Sequence, residues 1–298
     1  GGTNNGSTNP DRTNYWEDVP SNGLEVALWL EADRMGWLPD AMTQERLDGQ
    51  RDVVMNERRQ SYENRPYGLA FETILAELYP ADHPYSWPTI GSMEDLAAAT
   101  LDDVLSFFRT YYTPGNATLA IAGDVDSAHA RALVERYFAE IPAGPPVPPV
   151  EAPAVSLARD VYRVLEDDVQ LPRLYMTWHS PAAYEPGDAE MEAIGEVLAD
   201  GKASRLHRSL VYEKQVAQSV SAFQDAGRLG SAFYIVVTAR PGVELGPLED
   251  EVRSTIAALA TQGVRAEEVE RARNHIETAF VDELQNVGGF GGRADRLN

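Results

Sequence analysis

Six of the thirteen residues from Ile141 to Pro153 are proline, in the order I-P-A-G-P-P-V-P-P-V-E-A-P. Proline fixes φ and lacks an amide donor, so this stretch suits neither a helix interior nor a central strand. It favours an extended polyproline II path. It can serve as a ligand for a proline-binding module or as a spacer between two compact halves, and the patterns on either side favour the spacer. A chain of 298 residues with 43% hydrophobic residues is long enough and apolar enough for two such halves.

The remaining composition removes several classes of function. Lys and Arg number 25 against 47 Asp and Glu, a formal charge of −22, divided as −13 over residues 1–149 and −9 over 150–298. Acidity spread over both halves argues against a general nucleic-acid binder. No apolar run is long enough for a membrane-spanning helix. The absence of cysteine excludes disulfides, thiolate metal sites and a Cys nucleophile. Lys202 and Lys214 are the only lysines, which nearly excludes Schiff-base and P-loop chemistry. Neither a G-x-S-x-G elbow nor a dinucleotide glycine fingerprint is present. Gly288–Gly292 reads as a flexible loop.

Residue patterns place a β-like stretch at Asn5 to Glu17 and helices at Gly23 to Met35, ended by Pro39, and at Gln44 to Glu63. Further helices are expected at Leu69 to Leu78, at Met93 to Tyr111 and, capped by Ser127, through Ala139, with a short strand at Ala117 to Ala122. The second half reads as strands at Asp160 to Glu166 and Arg173 to His179, then helices at Asp188 to Ala199 and Ser204 to Glu213. Strands at Ala217 to Gln224 and Ser231 to Ala239 follow, then helices at Leu248 to Ala260 and Ala266 to Leu284. Both halves thus carry an exposed strand segment followed by two long helices, a repeat of element order. The expected class is α+β, with domains over 1–141 and 154–298 and a linker over 142–153. The second half has two strands and two helices ahead of its strand pair, and the first has almost nothing there. Gly1 and Asn298 also interrupt their patterns, so both ends read as cut, with the first domain N-terminally truncated and the second C-terminally incomplete.

The histidines are 83, 129, 179, 207 and 275, none three or four residues from another. No helix face can therefore offer a local His pair to a metal, and each reads as structural or solvated. Glu57 shares a helix face with Val53 and Gln50 and adjoins Arg58 and Arg59. On those residues alone it reads as a surface carboxylate paired with arginines.

Ordered motifs change that weighting. Gly1–Thr8 and Asp11–Glu17 resemble the substrate-side strand of the pitrilysin/insulinase family of zinc metallopeptidases. Leu30–Met35, Gln50–Arg59, Arg65–Gly68, Tyr111–Ala117, Ile121–Asp124, Ser204–Leu206 and Leu210–Lys214 continue the resemblance in order over nearly the whole chain. It implies two similar domains of the metallopeptidase αβ-roll type, each a sheet covered by helices. It also implies Zn2+ held in the intact protein by an inverted H-x-x-E-H helix and a distant Glu, which corresponds to Glu57. The His ligands and the general base would then lie upstream of Gly1, and no catalytic residue lies within this chain. Metal-activated water would attack the scissile carbonyl of a peptide or unfolded polypeptide.

The resemblance further implies that Asn5 and Thr8 sit on an edge strand that pairs with extended substrate; a turn-rich strand end is the other reading of those residues. Gln50 stands where many relatives have an acidic residue, and could act only as an uncharged second-sphere group. Val211 and Gln218 stand where many relatives carry a substrate-holding Arg and Tyr. A related subunit, or a fused unit carrying that pair, is therefore an expected partner besides the peptide. The competing expectation is a non-catalytic relative acting as a scaffold or partner subunit. With one carboxylate and no His ligands, the chain itself is expected to be inactive and not to hold zinc tightly. The compartment stays open, with the resemblance leaning towards an exported bacterial enzyme, periplasmic or secreted.

Overall fold

A computed structural model describes residues 1–153 and 155–298, which form two compact units. The first contains Gly1–Glu63, Thr89–Val150 and Phe280–Asn298; the second contains Asn64–Pro88 and Glu151–Ala279. In chain order the elements are β1 (Thr3–Thr8), β2 (Thr13–Asp18), α1 (Leu24–Ala41), α2 (Gln44–Arg58), α3 (Ala70–Leu78), α4 (Met93–Ala98), α5 (Leu101–Tyr111) and α6 (Ser127–Phe138). Then come β3 (Arg173–Ser180), α7 (Asp188–Ala199), β4 (Ala217–Asp225), β5 (Ser231–Ala239), α8 (Leu245–Gln262), α9 (Ala266–Gln285) and α10 (Arg293–Leu297). The fold is α+β, as the sequence leads one to expect. Among the described residues no helix is long and apolar enough to cross a membrane.

In the second unit, β5 lies between β3 and β4, antiparallel to both. Its sequence, S-A-F-Y-I-V-V-T-A, is apolar almost throughout because both of its faces are covered. Phe233, Ile235, Val237 and Ala239 pack with Leu248 and Val252 of α8 and Leu198 of α7. The alternate residues Ala232 and Tyr234 pack with Leu78, Tyr79 and Tyr85. His83 is fully buried in that second cluster, stacked on Tyr79 at 4.6 Å, and its Nδ1 accepts the Tyr85 amide at 3.0 Å. Burial holds its imidazole below the usual range, so the ring is neutral.

Ser204-Arg205-Leu206 has a structural role here. Ser204 Oγ donates to the Gly201 carbonyl at 2.7 Å, and Leu206 is fully buried in the core. Arg205 forks onto Glu268 of α9 with Nε and Nη2 at 3.0 and 2.7 Å. Arg265 adds its backbone amide and its own guanidinium, each at 2.9 Å. Glu268 is 1% exposed, and the Arg205 hydrogen bonds, with those of Arg265, hold its carboxyl down to about 2.

Several local expectations are corrected. Asp160–Glu166 and Ala117–Ala122 form no strands, since neither finds a hydrogen-bonding neighbour among the described residues. The first is held by side chains instead, through Arg163 to Glu77 at 2.6 Å and Tyr162 to Glu249 at 3.2 Å. Pro39 does not end α1, which holds the proline in its last turn and runs on to Ala41, where the Met42 amide bonds the Pro39 carbonyl. Met93 to Tyr111 is two helices: Thr100 and Asp103 exchange backbone and side-chain bonds in a capping box that starts α5. Asp126, not Ser127, caps α6 by accepting the His129 amide at 2.8 Å. The segments Arg59–Glu63 and His207–Glu213 are π-helical.

The Glu268 network generates an acid limb. Its carboxyl sits below the unfolded value of 4.5, so its contribution is complete above pH 4.5 and lost as pH falls from there towards 2. Glu268→Gln should cost about 3 kcal/mol at neutral pH, by leaving Arg205 without its anion. It should also flatten the stability loss between those pH values, both read by urea denaturation.

Candidate functional site

The hairpin of β1 and β2 carries the candidate substrate-facing residues Asn5 and Thr8 of the first unit. Its register runs from Thr3 opposite Asp18 to Thr8 opposite Thr13. Asn9 makes the turn, its Oδ1 accepting the amides of Asp11 and Arg12, each at 2.9 Å. The strands are polar (T-N-N-G-S-T and T-N-Y-W-E-D), so the hairpin is held by specific contacts on both faces.

Strand alternation puts Asn5, Ser7, Asn14 and Trp16 on one face. There Trp16 meets Phe290 edge-on at 5.5 Å. Asn14 is nearly buried and joins three groups. Its Oδ1 accepts the Ser7 hydroxyl at 2.6 Å and the Ser7 amide at 3.2 Å, and its Nδ2 donates to Asp295 Oδ1 at 2.6 Å. The other face carries Tyr15 and Glu17 against α1. The Arg34 guanidinium lies 4.0 Å above the Tyr15 ring and pairs with Glu31 at 3.0 Å. Tyr15 and Tyr112 share a hydroxyl hydrogen bond of 2.9 Å, and burial pushes Tyr112 up to about 12. Burial, then the adjacent Glu31 charge, raises the Glu17 carboxyl above its usual range. A cleft between hairpin and helix is lined by Asn4, Asn5, Gly6, Tyr15, Trp16, Glu17, Glu31 and Arg34.

Among the described residues β1 has β2 as its sole ladder partner, so its other edge is open. The Ser7 amide turns towards β2, so the alternate Gly6 amide turns outward. Asn5 Oδ1 accepts that outward amide at 2.8 Å. Thr8 closes the strand, its hydroxyl 3.1 Å from that of Thr13.

Glu57 and Gln50 lie on α2, both exposed, with Val53 between them on the same face. Seven residues of helix separate the two by about 10 Å along the axis, so any link between them needs an intervening group. The flanking arginines turn elsewhere. Arg58 is buried, 3.8 Å from Glu63, and Arg59 donates to Asn56 at 2.8 Å. Among the described residues no ion pair engages Glu57, so the surface-pair reading of that carboxylate loses its partners. Nor, among the described residues, does Glu57 belong to a group of three His, Asp or Glu donors close enough to share a metal ion. Asn5 and Thr8 thus share one element and Gln50 and Glu57 another. Val211 is packed against the second unit's core, and Gln218 sits at a bulge in β4. The sequence pattern gives Glu17 and Arg34 no individual role; the signal was their place inside the motifs Asp11–Glu17 and Leu30–Met35.

A family model described as the peptidase M16 inactive domain matches residues 98–276. The chain is 27% identical over 296 residues to a Helicobacter pylori protein named zinc protease PqqE, covering 98% of this chain and 66% of that protein. The crystal structure of a protease from Helicobacter pylori matches with a TM-score of 0.83 and 25% identity, over 96% of this chain and 69% of that one. The peptidase M16 inactive domain from Pseudomonas fluorescens shares the fold, with a TM-score of 0.78 and 20% identity over 93% and 66% of the two chains. The chain therefore spans about two thirds of the length of these relatives.

Asn14 is the joint on which the hairpin depends. Asn14→Ala should take away the acceptor of the Ser7 hydroxyl and the donor to Asp295 Oδ1, and cost about 1–3 kcal/mol. Amide hydrogen exchange should show protection lost first at Ser7 and its neighbours in β1, ahead of α2.

Proposed function

Since this chain belongs to the peptidase M16 family, the family of the pitrilysin and insulinase resemblance, we propose that it is part of a zinc endopeptidase acting on peptides or unfolded polypeptides. The observation that carries this reading is Glu57, an exposed carboxylate that its neighbouring arginines leave unpaired. A carboxylate kept free in this way suits a metal ligand. It supplies one donor, so the rest of a zinc site would come from residues outside this chain. Zinc, when bound there, would supply Lewis-acid polarisation of the scissile carbonyl and an activated water. The chain's own part is to present Glu57 from α2 and to hold the substrate.

Substrate holding is assigned to the open edge of β1. Strand addition requires outward-facing backbone groups, and the outward Gly6 amide is one of them. Asn5 Oδ1 occupies that amide in the structure described above. Substrate would displace it, so Asn5 protects the edge from chance pairing while leaving it usable. Thr8 marks the strand's end, and Gln50 would act on a neighbouring ligand through a hydrogen bond. The halves 1–141 and 154–298, joined by 142–153, are read as duplicated domains by element order, a statement about ancestry more than about which segments touch.

The second reading is a non-catalytic subunit, a scaffold or partner in a peptidase heterodimer. It is favoured by the description of the matched family model as an inactive domain. The two readings part in the full-length parent protein. If the first holds, that protein cleaves an unstructured peptide, Glu57→Gln lowers turnover by about a hundredfold or more, and zinc content falls with it. Cleavage that is absent, or indifferent to Glu57→Gln, favours the second.

A further inference from the structure

We propose that Glu196, Asp200 and His275 form a binding site for a divalent cation of the zinc type, separate from Glu57. All three belong to the second unit. Glu196 and Asp200 lie four residues apart at the end of α7, where a helix brings such side chains onto one face. His275, on α9, faces both. Its Nδ1 is 2.7 Å from Glu196 Oε2 and 3.4 Å from Asp200 Oδ2, and one donor atom from each residue falls within 4.8 Å of the others. Glu196 is half-buried and the other two are exposed, so a hydrated ion can reach them.

The distances suit a metal. Zinc bonds of about 2.0–2.1 Å in a tetrahedron separate neighbouring donors by about 3.3 Å. The His275–Asp200 distance already has that value, and the His275–Glu196 hydrogen bond would open by a little over half an ångström. Two carboxylates and one imidazole match the mixed O and N preference of zinc and its neighbours, with water completing the shell.

The placement of charge points the same way. The carboxyl end of a helix carries partial negative charge and favours cations. Helix α7 has no basic residue in its last turn, and it ends instead on Glu196 and Asp200. The charged groups acting on Glu196 are Asp200 and His275. Those acting on His275 are Glu196 and Asp200. Among the described residues, His275 is the group paired with both carboxylates, and a metal ion would take the place of that contact.

The test is titration of the 298-residue chain with zinc chloride alone, by calorimetry in two buffers of different ionisation enthalpy. One Zn2+ per chain should bind with release of a proton, more tightly at pH 8 than at pH 6. Both His275→Ala and Glu196→Gln should weaken it by about tenfold or more. Circular dichroism should show both variants folded, since neither side chain is in a core, and Asp200→Asn serves as a third variant. Glu57→Gln should bind as the unaltered chain does, which keeps this site's outcome separate from that of the peptidase reading. The proposal is overturned if the unaltered chain binds no stoichiometric zinc, or if the folded His275→Ala and Glu196→Gln variants bind it equally well.

Discussion

Burial on both faces of β5 is the constraint from which the second unit is built. A strand covered on one side can alternate apolar and polar residues, whereas this one cannot. Each large side chain removed from water contributes roughly 1.5–3 kcal/mol, so the two sets, Phe233, Ile235 and Val237 against Ala232 and Tyr234, commit the strand to partners on both sides. One set takes α7 and α8. The other takes residues from Asn64–Pro88, which is why a segment so early in the sequence is gathered with residues beyond Glu151. The backbone of β5 is satisfied by β3 and β4, and its register leaves little freedom, since a shift of one residue would exchange the two faces.

The first unit solves a different problem. Its hairpin has Thr, Asn, Gly and Ser where β5 has Val, Ile and Phe. An apolar strand with an open edge invites uncontrolled pairing. A polar one stays soluble, but it contributes little burial and must be anchored by hydrogen bonds and ring contacts. Asn14, Tyr15 and Trp16 supply these in three consecutive positions, alternating between the two faces. On the proposed reading, strand order and strand availability are achieved together, because the anchors occupy the faces and leave the edge.

Much of this was legible in the sequence, for reasons specific to each element. β5 announces itself by an unbroken apolar run, and α7 to α9 by their periodicity. The α+β class and the family follow from ordered motifs. Ala117–Ala122 and Asp160–Glu166 have strand composition without strand pairing, because a ladder is a property of two segments and composition of one. Pro39 was misleading because a proline disfavours a helix interior without forbidding it. The grouping of Asn64–Pro88 with distant strands was illegible, since its apolar residues show that it must be covered but not by what. Glu57 was found by motif; that its flanking arginines turn to Glu63 and Asn56 required coordinates. The Glu196, Asp200 and His275 group escaped a search for closely spaced histidines because two helices contribute to it.

The hydrogen bond from Asn14 to Asp295 joins residues 281 positions apart. During synthesis at roughly 5–20 residues per second, Asn14 waits about 15–55 s before its partner is made. In that interval β1 and β2 can pair and slip, because a polar two-stranded ribbon is at best marginally stable alone. A strand made so far ahead of its anchor is thus late to acquire its final alignment. Until Asp295 is made, the nascent chain carries an unfinished sheet edge, and the polarity of that edge protects it from its neighbours.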